Sequence, residues 1–154
     1  MSTPRKAPPS SPRIVIVRLS AIGDVIHGLP VLNALRDRFP QSMLAWVVEE
    51  PAAELLRGHQ ALDELITVPK RWLTKPGEVL ALRRKLRALK ADVTLDLQGL
   101  TKSAVAAWLS GAGRRIGFGD RNAREFSRWF YTEKIKARSE HVVDVYLELL
   151  RASG

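Results

Sequence analysis

The stretch "RIVIVRLSAIGDVIHGLP" (residues 13–30) passes from an apolar run, through a turn of small residues, into a helical pattern. Its first part, Arg13–Leu19, is rich in β-branched residues, which is typical of a strand buried on both faces. From Asp24 to Phe39, apolar residues recur at helical spacing. Because Pro30 has no amide hydrogen, we expect this helix to begin irregularly near it. The stretch predicts a strand, a turn and a helix.

The alternation of strand and helix continues along the rest of the chain, without an internal repeat. Strands are predicted at Met43–Val48, Leu65–Val68, Val93–Leu97 and Arg114–Phe118, and helices at Pro51–Arg57, Glu78–Lys90, Leu100–Leu109 and Glu140–Arg151. A basic loop, Pro69–Gly77, follows the third strand. This order predicts an α/β fold with a doubly wound parallel sheet.

Length, composition and charge narrow the class of protein. The chain has 154 residues, enough for one domain with a proper core. Residues 1–12 are rich in proline and have no apolar stretch, so we expect a disordered tail rather than a secretory signal. Without cysteine, the chain has no disulfide, thiolate metal site or cysteine nucleophile. The formal net charge of +9 favours polyanionic partners, which are nucleic acid, a phosphorylated glycolipid or an anionic membrane face.

The turn after the first strand is where a doubly wound sheet binds ligands. The dinucleotide motif G-x-G-x-x-G and the P-loop are both absent from the chain. A response-regulator site would need an acidic pair after the first strand, and only its later Asp has a candidate, Asp96. Asp24 remains, with two compatible interpretations. It caps a helix start, where carboxylates are favoured, or it is a catalytic base aimed at a ligand.

Four separated segments occur in a specific order: "RLSAIGDVIHGLPVLNALRDRFP", "AWVVEE", "DLQGLTKSA" and "GFGDRNARE". Together they resemble the N-terminal half of the family 9 glycosyltransferases, which include ADP-heptose:lipopolysaccharide heptosyltransferases. The resemblance implies a Rossmann-like domain of a GT-B enzyme, in which two such domains face a cleft. It implies an inverting, metal-independent transfer of heptose from the donor ADP-heptose to a Kdo residue of the lipopolysaccharide inner core, with no cofactor.

The resemblance also implies roles for single residues. Asp24 is in the position of the general base, and Ser20 and Gly23 lie where the donor approaches the backbone. Five cations are in positions that contact the acidic acceptor: Lys70, Arg71, Lys75, Lys102 and Arg124. The alternative for each cation is an ordinary solvated side chain. For His27, packing beside the site is the more natural expectation, and His141 matches a family histidine without an assigned role.

Three departures from the family pattern bear on the site, namely Ala21 in place of a serine, Arg18 in place of a lysine, and a basic loop with fewer arginines. Family members are about twice as long, so residues 13–154 correspond to the acceptor-binding domain without the donor-binding domain. We expect such a half to be inactive alone. The resemblance implies a cytoplasmic protein, with peripheral contact at the inner membrane.

Two alternative functions stay open. One is a family 9 enzyme with another sugar or acceptor. The other is a stand-alone α/β module that binds polyanions; its main candidate partner, nucleic acid, is disfavoured because only 6% of residues are aromatic.

Overall fold

The structure is a computed structural model and describes residues 11–118 and 130–135. Six strands form one parallel sheet in the order β3-β2-β1-β4-β5-β6. The strands are β1 Ile14–Val17, β2 Leu44–Glu49, β3 Glu64–Val68, β4 Val93–Asp96, β5 Arg114–Phe118 and β6 Glu133–Ile135. The helices are α1 Ile22–Arg38, α2 Glu50–Ala53, α3 Pro76–Leu89 and α4 Thr101–Leu109, with a 3₁₀ turn at Trp72–Thr74. The predicted α/β class and parallel sheet are confirmed.

Strand β1 lies at the centre of the sheet, between β2 and β4. All four of its side chains are fully buried. Because side chains alternate across a strand, Ile14 and Ile16 pack on one face with Trp46, and Val15 and Val17 on the other with Trp72. The chain winds from β1 to β3 in one direction and returns to β4 on the other side. The carboxyl end of β1 is therefore the switch point of the fold.

Helix α1 contradicts the expected irregular start at Pro30. It begins at Ile22 and continues through Pro30 to Arg38. Pro30 is exposed, so water can reach the carbonyl that its missing N–H leaves without a partner. The opposite side of the helix packs closely on the sheet at Gly28, where an added Cβ would lie 2.8 Å from the Trp46 ring. Burial against the sheet keeps the helix continuous.

Strand β6 was not predicted. It pairs in parallel with β5, and Glu133 accepts two hydrogen bonds from Arg114, at 2.7 Å from Nε and 2.9 Å from Nη2.

The second helix ends at Ala53 instead of Arg57, and turns follow it. Most of the predicted tail and the whole predicted helix Glu140–Arg151 lie outside the described residues.

Candidate active site at the carboxyl ends of the strands

The turn that joins β1 to α1 is held from both neighbouring strands. On the β4 side, the Gln98 side-chain oxygen accepts hydrogen bonds from the backbone amides of Leu19 (2.7 Å) and Ser20 (3.4 Å). On the β2 side, the backbone amide of Glu49 donates to the Leu19 carbonyl at 2.9 Å. These bonds fix the start of the turn at the switch point of the sheet, where ligands of such folds bind.

Asp24 lies in the first turn of α1, next to this fixed turn. Its Oδ2 accepts a hydrogen bond from the backbone amide of Ala21 at 3.4 Å and lies 2.8 Å from Nη2 of Arg18. The contact with Ala21 agrees with the helix-capping interpretation, and the positive end of the helix dipole favours the negative charge. The side chain is nevertheless 46% exposed, so a ligand can reach it. The two interpretations of Asp24 are compatible in the structure.

A cleft of about 470 Å³ opens at Gly23, the residue before Asp24, while Asp24 itself is not one of its lining residues. Its lining comes from the β1–α1 turn, the end of β2, the start of α2 and the basic loop: Leu19, Ser20, Ala21, Ile22, Gly23, Glu49, Pro51, Ala52 and Lys70. A Cβ added at Gly23 would meet no atom within 4 Å, so the backbone there faces open space. The structure therefore brings three predicted site residues, Ser20, Gly23 and Lys70, to one cleft, and Asp24 directly follows Gly23 in the chain.

The other predicted acceptor-binding residues are placed differently. Arg71 and Lys75 are exposed on either side of the 3₁₀ turn and do not line this cleft. Lys102, in the first turn of α4, is partly buried and hydrogen-bonds the carboxylate of Glu49. Arg124 and His141 lie outside the described residues. His27 is exposed on α1, so the expectation that it packs beside the site is wrong.

The Glu49–Lys102 ion pair extends across the end of β1. Glu49 ends β2, Lys102 follows β4, and β1 lies between these strands. The Glu49 side chain is only 3% exposed, and the lysine supplies the opposite charge that a buried carboxylate needs. Sequence reasoning identified Lys102 but not its partner, because the pairing depends on the order of strands in the sheet.

Asp96 is fully buried at the end of β4. Its carboxylate accepts hydrogen bonds from the backbone amides of Gln98 (2.9 Å) and Gly99 (3.1 Å), from the Ser103 hydroxyl (3.0 Å) and from the Tyr131 hydroxyl. Burial raises the pKa of Asp96, because the charged form loses its hydration, and the four hydrogen bonds oppose this rise. These bonds order the turn after β4, which in turn places Gln98 and Lys102.

Two further observations concern the part of the chain that the structure describes. Across residues 11–118 and 130–135, no three His, Cys, Asp or Glu side chains come together as potential metal ligands. None of the helices in these ranges combines the length and apolar character needed to cross a membrane.

A parallel sheet with the strand order β3-β2-β1-β4-β5-β6 and a cleft at its switch point defines a Rossmann-like domain. The model of the family described as "Glycosyltransferase family 9 (heptosyltransferase)" matches residues 79–153. Lipopolysaccharide heptosyltransferase 1 of Escherichia coli O18:K1:H7 is 35% identical over 150 residues, which cover 92% of this chain and 46% of that protein. The chain is similar to glycosyltransferase family 9 over most of its length.

Solved structures agree with this similarity. The chain is similar to "E. coli heptosyltransferase WaaC with ADP-2-deoxy-2-fluoro heptose", with a TM-score of 0.81, 34% identity, and coverage of 92% of this chain and 48% of that one. It is also similar to a family 9 glycosyl transferase from Veillonella parvula, with a TM-score of 0.75, 26% identity, and coverage of 93% and 41%. The chain spans about half the length of the curated relatives that it matches.

Proposed function

We propose that this protein is the acceptor-binding part of an inverting heptosyltransferase, which transfers heptose from ADP-heptose to a Kdo residue of the lipopolysaccharide inner core. The observation that carries the proposal is the Asp24 carboxylate, exposed beside a cleft and held by a helix start and a guanidinium. The sugar nucleotide is suggested by the similar WaaC structure, whose name records an ADP-heptose analogue.

In the proposed reaction, Asp24 accepts the proton of an acceptor hydroxyl. The hydroxyl oxygen forms a bond to the anomeric carbon of heptose from the face opposite ADP, and the bond from that carbon to the phosphate oxygen breaks. ADP leaves with the electron pair, and the configuration at the anomeric carbon inverts. General-base assistance of this kind contributes about 10²–10⁴-fold to a rate. No metal or cofactor takes part in the proposal.

The donor and the acceptor meet in one cleft in this proposal. Ser20 and Gly23 present backbone to the donor, since their turn opens directly onto the cleft. Lys70 lines the same cleft and supplies a cation for the carboxylate or phosphate of the acceptor. Arg71, Lys75 and Arg124 are proposed for the outer acceptor groups. Lys102 is also proposed to contact the acceptor. In that role it must bind the acceptor while its ammonium group still neutralises Glu49.

The net charge of +9 suits an anionic lipid acceptor. Attraction to an anionic leaflet contributes about 1 kcal/mol for each well-placed Lys or Arg. We propose a cytoplasmic protein that contacts the inner membrane peripherally through this attraction.

The test is Asp24→Asn in the protein expressed from its complete reading frame, assayed with ADP-heptose and Kdo–lipid A. We expect kcat to fall by about 10²–10⁴-fold, because the amide cannot accept the proton. Asp37→Asn is the matched control, since Asp37 is an exposed carboxylate on the same helix. Turnover of the Asp24 variant within threefold of the unchanged protein would refute the role of Asp24. Equal turnover with ADP-glucose would refute the proposed donor sugar.

A further inference from the structure

Arg18 lies directly after β1 and connects two elements of the site. Its Nη1 donates a hydrogen bond to the Leu97 carbonyl at 2.9 Å, just beyond the end of β4. Its Nη2 lies 2.8 Å from Oδ2 of Asp24 in the first turn of α1. The arginine side chain is only 12% exposed, in contrast to the 46% of its carboxylate partner. A buried guanidinium therefore anchors an accessible carboxylate.

The two oxygens of the Asp24 carboxylate differ in their contacts. In the described part of the chain, its polar contacts are made by Oδ2, with Arg18 and with the Ala21 amide. The amide contact, at 3.4 Å, is at the long limit for a hydrogen bond, so Arg18 is the stronger partner. This arrangement leaves Oδ1 as the oxygen that a substrate hydroxyl can approach.

We propose that Arg18 is a positioning residue, which binds Oδ2 of Asp24 and so presents Oδ1 to the acceptor hydroxyl. This inference rests on the proposed function, in which Asp24 is the base. The guanidinium of Arg18 offers only hydrogen-bond donors and cannot take the proton. Its fork of nitrogens binds the Leu97 carbonyl and the carboxylate at the same time, so the guanidinium is held before it orients its partner. A lysine would supply the charge through one nitrogen and would have to divide it between these two acceptors.

The experiment compares Arg18→Met and Arg18→Lys with the unchanged protein, using ADP-heptose and Kdo–lipid A. Because a misplaced catalytic group costs rate rather than substrate affinity, we expect Arg18→Met to lower kcat by about 10–100-fold and to leave both KM values within about twofold. In Arg18→Lys, the decrease in log kcat should be smaller than in Arg18→Met by at least one third. Arg57→Met is the matched control, since Arg57 forms an exposed ion pair with Glu54 away from the cleft.

A double variant separates positioning from a general loss of structure. If Arg18 acts through Asp24, then Arg18→Met should change kcat by less than twofold in a protein that already carries Asp24→Asn. An equal loss in both backgrounds would overturn the inference, and so would normal turnover of a folded Arg18→Met protein. Loss of activity in Arg18→Lys equal to that in Arg18→Met would also overturn it. Full activity of Asp24→Asn alone would instead refute the proposed function.

Discussion

Replacement of Lys102 by methionine tests how the site is held together. The methionine keeps most of the side-chain volume but removes the ammonium group that hydrogen-bonds Glu49. Glu49 is 3% exposed, so its carboxylate would remain buried without its cation. We expect the variant to fold less stably, independently of any loss of acceptor binding.

The size of this effect follows from the burial of the two partners. Removal of one partner from a fully buried ion pair costs about 3–5 kcal/mol. Lys102 is 28% exposed, so water can partly replace it, and we expect a loss of about 2–3 kcal/mol in the free energy of unfolding. With a urea m-value of about 2 kcal/mol/M, the midpoint should fall by about 1–1.5 M. The fluorescence of the fully buried Trp46 and Trp72 reports the transition.

The double variant Glu49→Gln/Lys102→Met supplies the decisive comparison. It removes both charges, so the free energy of unfolding should return to within about 1 kcal/mol of the original value. Lys85→Met, on the exposed side of α3, should change the midpoint by less than about 0.3 M. The reasoning is refuted if Lys102→Met costs less than about 0.5 kcal/mol, or if the double variant is no more stable than the single one. Persistent loss of turnover in a stable double variant would support the proposed acceptor contact of Lys102.

Two further predictions concern the neighbourhood of β4 and β5. Burial raises the pKa of Asp96, so the folded state holds this proton more tightly than the unfolded state, and its contribution to stability decreases as the pH rises above the ordinary value of an Asp. As the pH rises from 4 to 7, the free energy of unfolding of Asp96→Asn, measured by urea titration, should therefore increase relative to that of the unchanged protein. A difference between the two proteins that stays constant or changes in the opposite direction would contradict this. Gly117→Ala would place a Cβ 2.2 Å from the Tyr131 ring and should cost about 1–3 kcal/mol. Gly113→Ala meets no atom within 4 Å and should change stability by less than about 0.5 kcal/mol in the same assay, so equal effects of the two would refute the packing argument.

Local sequence patterns predicted most of the fold. The β-branched run of β1 and the apolar spacing of α1 are properties of neighbouring residues, and both elements form where the pattern placed them. Strand β6 has only three residues, too few to show the alternation of apolar and polar side chains that marks a strand. Its position depends on Arg114 and on pairing with β5, which a local pattern does not contain. Pro30 was misjudged because its exposure depends on which side of α1 faces the sheet.

The candidate site was predicted to a similar extent. The motif around Asp24 identified the carboxylate and the open turn beside it. The partners of the charged groups were not predicted, because Arg18 meets Leu97 and Glu49 meets Lys102 only after β1 is placed between β2 and β4. A local pattern does not contain such contacts, because the partners are far apart in the sequence: Arg18 and Leu97 are separated by 79 residues.

The central position of β1 also has a consequence for synthesis on the ribosome. Ile14 pairs with Val93, 79 residues further along the chain, whereas its other partner, Leu44, is made much earlier. At about 5–20 residues per second, roughly 4–16 s pass between the synthesis of Ile14 and that of Val93. During this interval, one side of an apolar strand has no partner, which is the condition under which nascent strands associate wrongly. We therefore expect the emerging chain to need chaperone protection until β4 leaves the ribosome.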